Sequence, residues 1–413
     1  MKKILLLGAG YANMSLLTRL DSASLKKAQW TLVTKEPYHY KSITLHDVAS
    51  GKIDKRALFD LENIKKRGVS VVCDEITSIE ANIARGKNAN YEYDYLSVGL
   101  GFESDDFGIK GVKQYAKAIT SYKSAQRLRC AIEAKLAQCK DSSSDISFVV
   151  CGGGFSGIEF VGSLAEELQK KCTEYNINFA RIKIACIEAM PNILPMFNAK
   201  LQNLAVKKLE SLGVAVMSGS KILECKESAI VIEQGGKKRE LGADIIIWTA
   251  GVRGNSVIEN SHIFNSTRSK VEVDRFLHPL QLNAQNLGGD SQNLIAQNLA
   301  NMAQNLAQNI FIMGDCTAFK DEKSGRFFPP TAQIAREQGK YLAKVFKILL
   351  NNPHNPQGKI SPFIFTPKGS ICSLGESYAL GNLGIFEIKG KSASVLKKIV
   401  ESLWDLQLKG IAL

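Results

Sequence analysis

Two glycine-rich loops are the residues of this chain whose types and spacing point most directly to chemistry. Gly8 and Gly10 form the first loop, and Gly152, Gly154 and Gly157 form the second, each directly after a short apolar run. Glycine permits the tight turn after a strand and lets the backbone approach a pyrophosphate, whose charge is met by the amides that open the next helix. One such loop is weak evidence, whereas two predict a protein that holds two dinucleotides, as in a flavoenzyme that takes a hydride from a nicotinamide.

The first loop departs from the usual fingerprint at two places. Asn13 stands where a third small residue, Gly or Ala, normally lets the helix pack closely on the strand. Thr34 and Lys35 end the second strand, where an acid is expected to bind a ribose. Thr34 has one hydroxyl for this purpose, and the following Glu36 is the alternative.

The second loop is complete and is followed by two acidic residues of interest. Glu188 ends the second strand of this unit and suits a ribose diol, which favours NADH over NADPH, although Arg181 and Lys183 are nearby. Glu159 lies just inside the helix that follows the loop. Its carboxylate either only interacts favourably with the positive, N-terminal end of the helix dipole or faces a bound substrate.

A third group of candidate residues follows an apolar strand at 310–313. Asp315 can accept a hydrogen bond from a ribityl hydroxyl, and Thr331 is the predicted N-cap of the next helix. Gln333 and Gln338 lie five residues apart, roughly 140° around a helix, so they cannot point the same way. We expect Gln333 at the flavin and Gln338 at the border of the pocket, farther away; two solvated glutamines are the alternative.

The order of these motifs predicts an α/β fold with two Rossmann-like dinucleotide-binding domains and a C-terminal membrane-associating segment. The predicted divisions are 1–120 for the first part of the first dinucleotide-binding domain, 121–270 for the inserted second dinucleotide-binding domain, 271–350 for the second part of the first domain, and 351–413 for C-terminal strands and an amphipathic helix. An insert at 281–309 repeats Gln-Asn-Leu four times. It is either a disordered surface loop or a short amphipathic helix.

Composition narrows the partners and the classes of site. The 413 residues carry a formal net charge of +13, which favours anionic partners, but no nucleic-acid-binding motif is present and we expect no nucleic acid. We expect no signal peptide, and no apolar run in the sequence reaches about 18 residues. The nine cysteines form no CxxC motif or metal-ligand cluster, so we expect reduced thiols and no metal site.

The C-terminal region from Ser392 to Leu413 is predicted to be a basic amphipathic helix. Its lysines are Lys397, Lys398 and Lys409, and Lys389 and Lys391 precede it. The residues that we place on one apolar side are Val395, Leu396, Ile399, Val400, Leu403, Trp404 and Ile411. Such a helix can lie in a membrane interface, and docking on the protein or on a second subunit is the alternative.

Together these motifs resemble the type II NADH:quinone oxidoreductases, the single-subunit, non-pumping respiratory NADH dehydrogenases. The resemblance extends from Lys3 to about Gly381. The most specific segment is Ala332–Gln338, which matches the AQxAxxQ signature of the quinone site in that family. The other segments are the two glycine loops, Tyr38–Tyr40, Leu45–Gly51, Ala189–Pro195, Trp248–Asn255, Gly314–Cys316 and Lys368–Ser370.

The resemblance implies FAD on the first loop and NADH on the second. Glu159, Gln333 and Gln338 would be the catalytic residues that orient the nicotinamide and the quinone and help protons reach the quinone. The residues that we expect at the cofactors are Gly8, Ala9, Gly10, Tyr11, Ala12, Asn13, Thr34, Lys35, His46, Ile76, Gly101, Gly152, Gly154, Phe155, Ser156, Gly157, Glu188, Ala250, Gly251, Asp315, Ala332 and Lys368.

The resemblance also implies a hydride transfer from NADH to FAD, followed by two-electron reduction of a membrane quinone, menaquinone or ubiquinone, without proton pumping. It implies a peripheral protein on the cytoplasmic face of a bacterial inner membrane, and a homodimer is a further expectation. Two alternatives stay open. One is a sulfide:quinone oxidoreductase, although no evident cysteine pair supports it; the other is a redox-sensing protein that binds FAD and NADH with little turnover.

Overall fold

The computed structural model describes residues 1–140, 143–283, 304–352 and 360–410. Residues 284–303 of the predicted insert and Ile411 lie outside this part of the chain. The helices are α1 (Tyr11–Arg19), α2 (Ser22–Lys26), α3 (Leu45–Ser50), α4 (Glu62–Lys66), α5 (Val112–Tyr115), α6 (Tyr122–Gln138), α7 (Phe155–Glu174), α8 (Ala199–Ser211), α9 (Ala332–Asn351) and α10 (Lys391–Leu408). The strands are β1 (Lys2–Leu7), β2 (Ala28–Thr34), β3 (Tyr38–Tyr40), β4 (Leu58–Asp60), β5 (Ser70–Cys73), β6 (Ile76–Ile79), β7 (Ile83–Gly86), β8 (Asn90–Glu92), β9 (Tyr95–Val98), β10 (Phe102–Ser104), β11 (Ala116–Ala118), β12 (Ile146–Cys151), β13 (Ile182–Ile187), β14 (Val214–Met217), β15 (Ser220–Cys225), β16 (Ala229–Gln234), β17 (Lys237–Gly242), β18 (Ile245–Trp248), β19 (Val252–Gly254), β20 (Ser266–Thr267), β21 (Lys270–Glu272), β22 (Ile310–Ile312), β23 (Thr317–Ala318), β24 (Ser370–Ser373), β25 (Ala379–Asn382) and β26 (Glu387–Gly390).

The first sheet contains five parallel strands in the order β22, β9, β1, β2 and β5. Leu7 at the end of β1 lies opposite Val33 of β2 and Val98 of β9. A parallel sheet is covered on both faces, which is why the inner residues of β1 are apolar and buried. The first glycine loop therefore opens at the carboxyl edge of this sheet, where ligands of such folds bind.

The second sheet repeats this arrangement with the strand order β11, β18, β12, β13 and β14, all parallel. Cys151 at the end of β12 lies opposite Ile187 and Trp248, and the second glycine loop follows it. Strand β11 joins this sheet from the amino-terminal side of the predicted boundary at residue 121. The two parallel sheets, each ending in a glycine loop, confirm the predicted α/β fold with two Rossmann-like units.

A short antiparallel ribbon connects the two sheets. Strand β10 leads from the first sheet toward the second, strand β19 leads back, and Phe102 pairs with Gly254 across the ribbon. Beside it, the Trp248 indole N–H donates to the Asp105 carbonyl at 2.8 Å. The two connections therefore support each other where the chain changes from one sheet to the other.

Helix α9 returns to the first sheet and packs closely on α1. Gly339 permits this contact, because a Cβ at that position would lie 2.0 Å from the Ala12 carbonyl oxygen. The Ser15 hydroxyl donates to the Arg336 carbonyl at 2.6 Å across the same contact. The helix that begins with Ala332 is therefore fixed against the helix that follows the first glycine loop.

The C-terminal region forms the antiparallel sheet β24–β25–β26 and helix α10. Val395, Ile399, Val400 and Leu403 on α10 are exposed. Trp404 is not, because it is only 1% exposed and packs inside the protein. The residues that the sequence grouped on one apolar side are therefore divided: Trp404 docks on the protein, as the alternative to a membrane interface had it, while the exposed residues leave α10 a free face.

Candidate active site

The first glycine loop is shaped by its contact with the turn after β9. Gly8 has a φ of +87°, and a Cβ there would lie 2.4 Å from the Gly99 carbonyl oxygen. Helix α1 begins directly after Gly10 with no side-chain cap and no acidic residue in its first turn. Its first amide hydrogens are therefore available to an anion such as a pyrophosphate.

Asn13, the irregular third position, stabilises this loop from inside. Its side-chain amide donates to the carbonyl oxygens of Leu7 at 2.9 Å and Gly8 at 2.8 Å. Its carbonyl oxygen accepts from the Ser97 hydroxyl at 2.6 Å, which links the loop to β9. The side chain of the buried Asn13 is fully hydrogen-bonded. Where the usual fingerprint has a small residue that permits close packing, this chain therefore has a polar side chain that clamps the loop by hydrogen bonds.

The residues at the end of β2 are held by their own neighbours. The Thr34 hydroxyl donates to the Glu36 carbonyl at 3.1 Å, and the Glu36 carboxylate pairs with Lys123 at 2.8 Å. Exposed Lys35 pairs with Glu75 at 2.8 Å. Thr34 and Lys35 therefore border the first loop but do not point unpaired groups at a ribose.

Two other predicted cofactor residues take different positions near the first sheet. Ile76 begins β6 and is buried in the hydrophobic core. Gly101 has a φ of +78° and no atom within 4 Å of a Cβ built on it, and its carbonyl oxygen accepts from Cys316 Sγ at 3.3 Å. Gly101 therefore lies beside the turn that contains Asp315, whereas Ile76 supports the fold.

The turn that contains Asp315 is held by Gln338. The Gln338 side-chain oxygen accepts from the Gly314 backbone N–H at 2.8 Å, and Gly314 has a φ of +65°. Burial raises the pKa of Asp315 to about 6, against the opposing influence of Lys270. Gln338 Nε2 is buried without a hydrogen-bond partner among the described residues. Gln338 therefore positions this turn from the protein interior and still has one donor to offer.

Gln333 and Gln338 have different surroundings, as the helical spacing predicted, and Gln333 lies nearer the surface than Gln338. Its side-chain oxygen accepts from the Lys368 backbone N–H at 3.1 Å, while the Lys368 ammonium pairs with Glu337 at 2.9 Å. Thr331 caps the helix by accepting from the Ile334 N–H at 3.3 Å, which confirms its predicted role and places Ala332 in the first turn. The start of α9 and the Lys368 segment thus form one connected wall.

The second glycine loop has the geometry that its complete fingerprint predicts. Gly152 has a φ of +114°, and a Cβ there would lie 2.7 Å from Ala250 Cα. A Cβ at Gly157 would lie 1.9 Å from the Gly152 carbonyl oxygen, whereas a Cβ at Gly154 would meet no atom within 4 Å. Helix α7 has neither a side-chain cap nor a first-turn acid. Gly157 is therefore needed for packing, and Gly154 leaves room for a ligand.

The remaining predicted residues of the second unit surround this loop. Glu188 accepts from the backbone N–H groups of Gly153 at 2.6 Å and Met190 at 2.7 Å, so its carboxylate lies at the loop. Phe155 packs edge-on against Phe197 at 5.1 Å. Ser156 is exposed, and a Cβ on Gly251 would lie 2.4 Å from the ring of Phe107.

Glu159 is buried at the interface between α7 and α10. Its side chain is 11% exposed and forms an ion pair with Lys397, which is 15% exposed. The Ser373 backbone N–H and hydroxyl donate to the same carboxylate at 3.1 and 3.2 Å. His46 Nδ1 lies 3.7 Å from its other oxygen. The sequence singled out Glu159 and His46 separately, and the fold brings them together.

The charges of this cluster are set by burial and by the ion pair. Burial opposes the ionisation of Glu159, but the ion pair with Lys397 outweighs it and lowers its pKa. Burial lowers the pKa of Lys397, but Glu159 and Glu401 more than offset this and raise it. Burial lowers the pKa of His46, which favours the neutral imidazole. The site therefore holds a charged carboxylate and ammonium beside a neutral histidine that can accept a proton.

His39 and Trp404 form a link that sequence reasoning missed. Trp404 Nε1–H donates to His39 Nε2 at 3.1 Å, so His39 Nδ1–H donates to the Ala9 carbonyl at 2.7 Å. Burial lowers the pKa of His39 to about 4, which keeps the ring neutral. Tyr11 packs against both rings at 5.2 Å. The two bonded residues are 365 positions apart in the sequence. The only sign of their contact in the sequence is the presence of aromatic residues in the Tyr38–Tyr40 segment and in α10.

The cysteines do not form a redox pair. All nine are free thiols, and only Cys73 and Cys130 are exposed. Burial raises the pKa of Cys316 and of Cys186 to about 12. A buried thiol with a raised pKa is a poor nucleophile. The chain therefore lacks the paired thiolates that sulfide or disulfide chemistry requires.

Known proteins resemble this chain in both sequence and architecture. Residues 2–339 match the family described as pyridine nucleotide-disulphide oxidoreductase. The type II NADH:quinone oxidoreductase of Staphylococcus epidermidis is 35% identical over 421 residues, covering 100% of this chain and 97% of that protein. The structure of NDH2 from Plasmodium falciparum in complex with NADH has a TM-score of 0.85 at 20% identity, covering 99% of this chain and 96% of that chain. The sulfide:quinone oxidoreductase of Aquifex aeolicus has a TM-score of 0.75 at 17% identity, covering 100% and 93%. At these identities the structural likeness establishes the fold.

Proposed function

This chain belongs to the type II NADH:quinone oxidoreductases, within the pyridine nucleotide-disulphide oxidoreductases, and we propose which of its residues carry the reaction. The reaction is the oxidation of NADH and the reduction of a quinone, with FAD as cofactor. When bound, FAD supplies the redox chemistry, because its ring accepts a hydride and can release two electrons to a quinone.

The first glycine loop holds FAD in this proposal, and the second holds NADH. The main support for assigning FAD to the first loop is the position of α9, because Gly339 of α9 contacts α1 directly after that loop. Gln338 on the same helix fixes the Gly314–Asp315 turn, where a carboxyl group can accept from a ribityl hydroxyl. The open space at Gly154 and the carboxylate of Glu188 favour a pyrophosphate and a ribose diol at the second loop.

Three side chains direct the quinone step. Gln333, at the start of α9, orients the quinone, and neutral His46, beside the charged Glu159, accepts protons and relays them toward it. A carboxylate beside a neutral histidine provides both a charge and a proton acceptor in a buried site. The lack of a thiolate pair disfavours the sulfide alternative.

Stopped-flow measurements separate the two half-reactions. In Gln333→Ala, flavin bleaching by NADH should keep its rate, while recolouring by a short-chain quinone should slow about tenfold, the loss of one positioning hydrogen bond. Gln114→Ala, an exposed glutamine remote from α9 in sequence, is the control. Equal slowing of both steps would contradict the proposed role of Gln333.

We further propose that the free face of α10 binds a membrane surface on the cytoplasmic side of a bacterial inner membrane. Val395, Ile399 and Leu403 recur every four residues and are 55%, 50% and 39% exposed. The preceding turn exposes Ile385 and Phe386 by 87% and 62%. No helix among the described residues is long and apolar enough to cross a bilayer. Amphipathic faces of this kind bind at the interface.

Vesicle sedimentation tests the membrane face. Ile399→Asp with Leu403→Asp should abolish binding to vesicles without changing the rate of flavin bleaching by NADH. Unchanged sedimentation would contradict this face. A homodimer and the identity of the quinone, menaquinone or ubiquinone, stay predictions that sizing of the purified protein and quinone competition would test.

A further inference from the structure

A cavity of 510 Å³ lies between α7, α10 and the turn after β24. Lys170, Lys391 and Lys398 line it together with Glu166, Glu376 and Val395. None of these residues takes part in the proposed cofactor or quinone sites. The cavity is therefore a separate feature that the oxidoreductase reaction does not explain.

The charges around this cavity are unequally paired. Lys170 pairs with Glu167 at 2.7 Å and lies 3.9 Å from Glu376. Glu166 accepts the Glu376 backbone N–H at 2.6 Å. The ammonium groups of Lys391 and Lys398, in contrast, have no hydrogen-bond or ion-pair partner among residues 1–140, 143–283, 304–352 and 360–410. The lining thus carries three lysines against two glutamates, and Lys391 and Lys398 are the two cations without a carboxylate partner among the described residues.

The cavity also adjoins the apolar face of α10. Lys391, Val395 and Lys398 share one side of the helix, because residues spaced by four and seven positions lie above one another. Val395 lines the cavity and is also the first member of the exposed row that continues with Ile399 and Leu403. A cavity edged by lysines therefore opens directly onto an apolar strip.

We propose that this cavity binds the phosphate-bearing headgroup of an anionic phospholipid, and the proposal rests on the membrane face described above. Lys391 and Lys398 bind the phosphate, and the acyl chains follow Val395, Ile399 and Leu403. A phospholipid joins an anionic phosphate to apolar acyl chains. This arrangement matches the lysines of the cavity and the apolar row beside them. Free phosphate would use only the lysines, and the apolar row would add nothing to its binding.

Vesicle binding by charge-matched variants tests this site. Wild type should bind phosphatidylcholine vesicles containing phosphatidylglycerol better than vesicles of phosphatidylcholine alone. K391Q/K398Q should weaken binding to the anionic vesicles about tenfold more than K389Q/K409Q, because it removes two charge-assisted contacts to phosphate. Lys389 and Lys409 are exposed and flank the same helix, so the control removes the same charge. Melting temperatures should be the same for both double variants.

Calorimetric titration with soluble ligands identifies the source of the phosphate. Dihexanoylphosphatidylglycerol should bind wild type and K389Q/K409Q, and fail to bind K391Q/K398Q. Inorganic phosphate should bind much more weakly, and equal binding of both ligands would overturn the lipid assignment. Equal losses in the two double variants would overturn the cavity site while leaving membrane binding intact. If wild type binds no vesicle at all, the proposed membrane face itself fails.

Discussion

Replacement of Lys397 by Met should expose the energetic role of the buried ion pair with Glu159. The two side chains are 15% and 11% exposed, so water compensates little for a lost partner. Removing one member of a buried pair costs about 3–5 kcal/mol. The two Ser373 hydrogen bonds and His46 remain, which places the expected loss near the lower end, about 3 kcal/mol.

The loss should depend on pH in a defined direction. In wild type the folded-state pKa of Glu159 is lowered from 4.5 and that of Lys397 is raised from 10.5. The pair therefore contributes its full stability between those two values, loses it below as Glu159 is protonated, and loses it above as Lys397 is deprotonated. In Lys397→Met the Glu159 pKa rises, so the variant should be most destabilised at alkaline pH and recover as pH falls.

Urea denaturation at pH 8 and pH 5 measures this effect. Lys397→Met should unfold at clearly lower urea at pH 8 than at pH 5, relative to wild type. Lys398→Met, the exposed neighbour, is the control and should behave as wild type. Adding Glu159→Gln should restore most of the stability, because no buried charge is then left unpaired. A single variant with wild-type midpoints, or a double variant as unstable as the single one, would refute this reasoning.

Three further predictions concern the loops, the flavin turn and the thiols. Gly157→Ala should lower the melting temperature, since its Cβ would lie 1.9 Å from a carbonyl oxygen, whereas Gly154→Ala should keep the melting temperature and raise the KM for NADH; a stable Gly157→Ala would contradict the packing argument. Asp315→Asn should weaken FAD retention about tenfold, measured as flavin absorbance per protein. The raised pKa of Asp315, about 6 instead of 3.8, means that its ionisation destabilises the flavin-free fold, so the melting temperature of that form should rise as pH falls through 6, and Asp315→Asn should not show this rise. Iodoacetamide at pH 7 should label Cys73 and Cys130 alone, as read by mass spectrometry, and should leave NADH oxidation intact; rapid labelling of Cys186 or Cys316 would contradict their raised pKa values.

Much of the fold could be predicted because its signals are local. The apolar runs of β1 and β12, the glycines after them and the N-cap Thr331 each act within a few residues of chain. The strand order of the sheets then follows from the Rossmann pattern. The C-terminal helix begins at Lys391, one residue before the predicted start.

The candidate site was less predictable because its side chains have long-range partners. Gln338 was expected at the border of the pocket. In the structure its side-chain oxygen accepts a hydrogen bond from the Gly314 N–H inside the protein. Helical periodicity grouped Trp404 with the apolar residues of one side of the helix, but its indole donates to His39, which the periodicity of one helix cannot reveal. The partner of Glu159 also lies on α10, 238 residues away.

The sequence by itself determined that the ligands are dinucleotides. The turns at Gly8 and Gly152 need a backbone conformation that favours glycine, so the residue type alone indicates them. Its motifs also determined the family, through the Ala332–Gln338 segment. Only the tertiary structure decided that Asn13 is a clamp and that Lys397 neutralises Glu159. The physical reason is that a hydrogen bond or ion pair depends on distances across the fold, and these arise only when distant segments pack together.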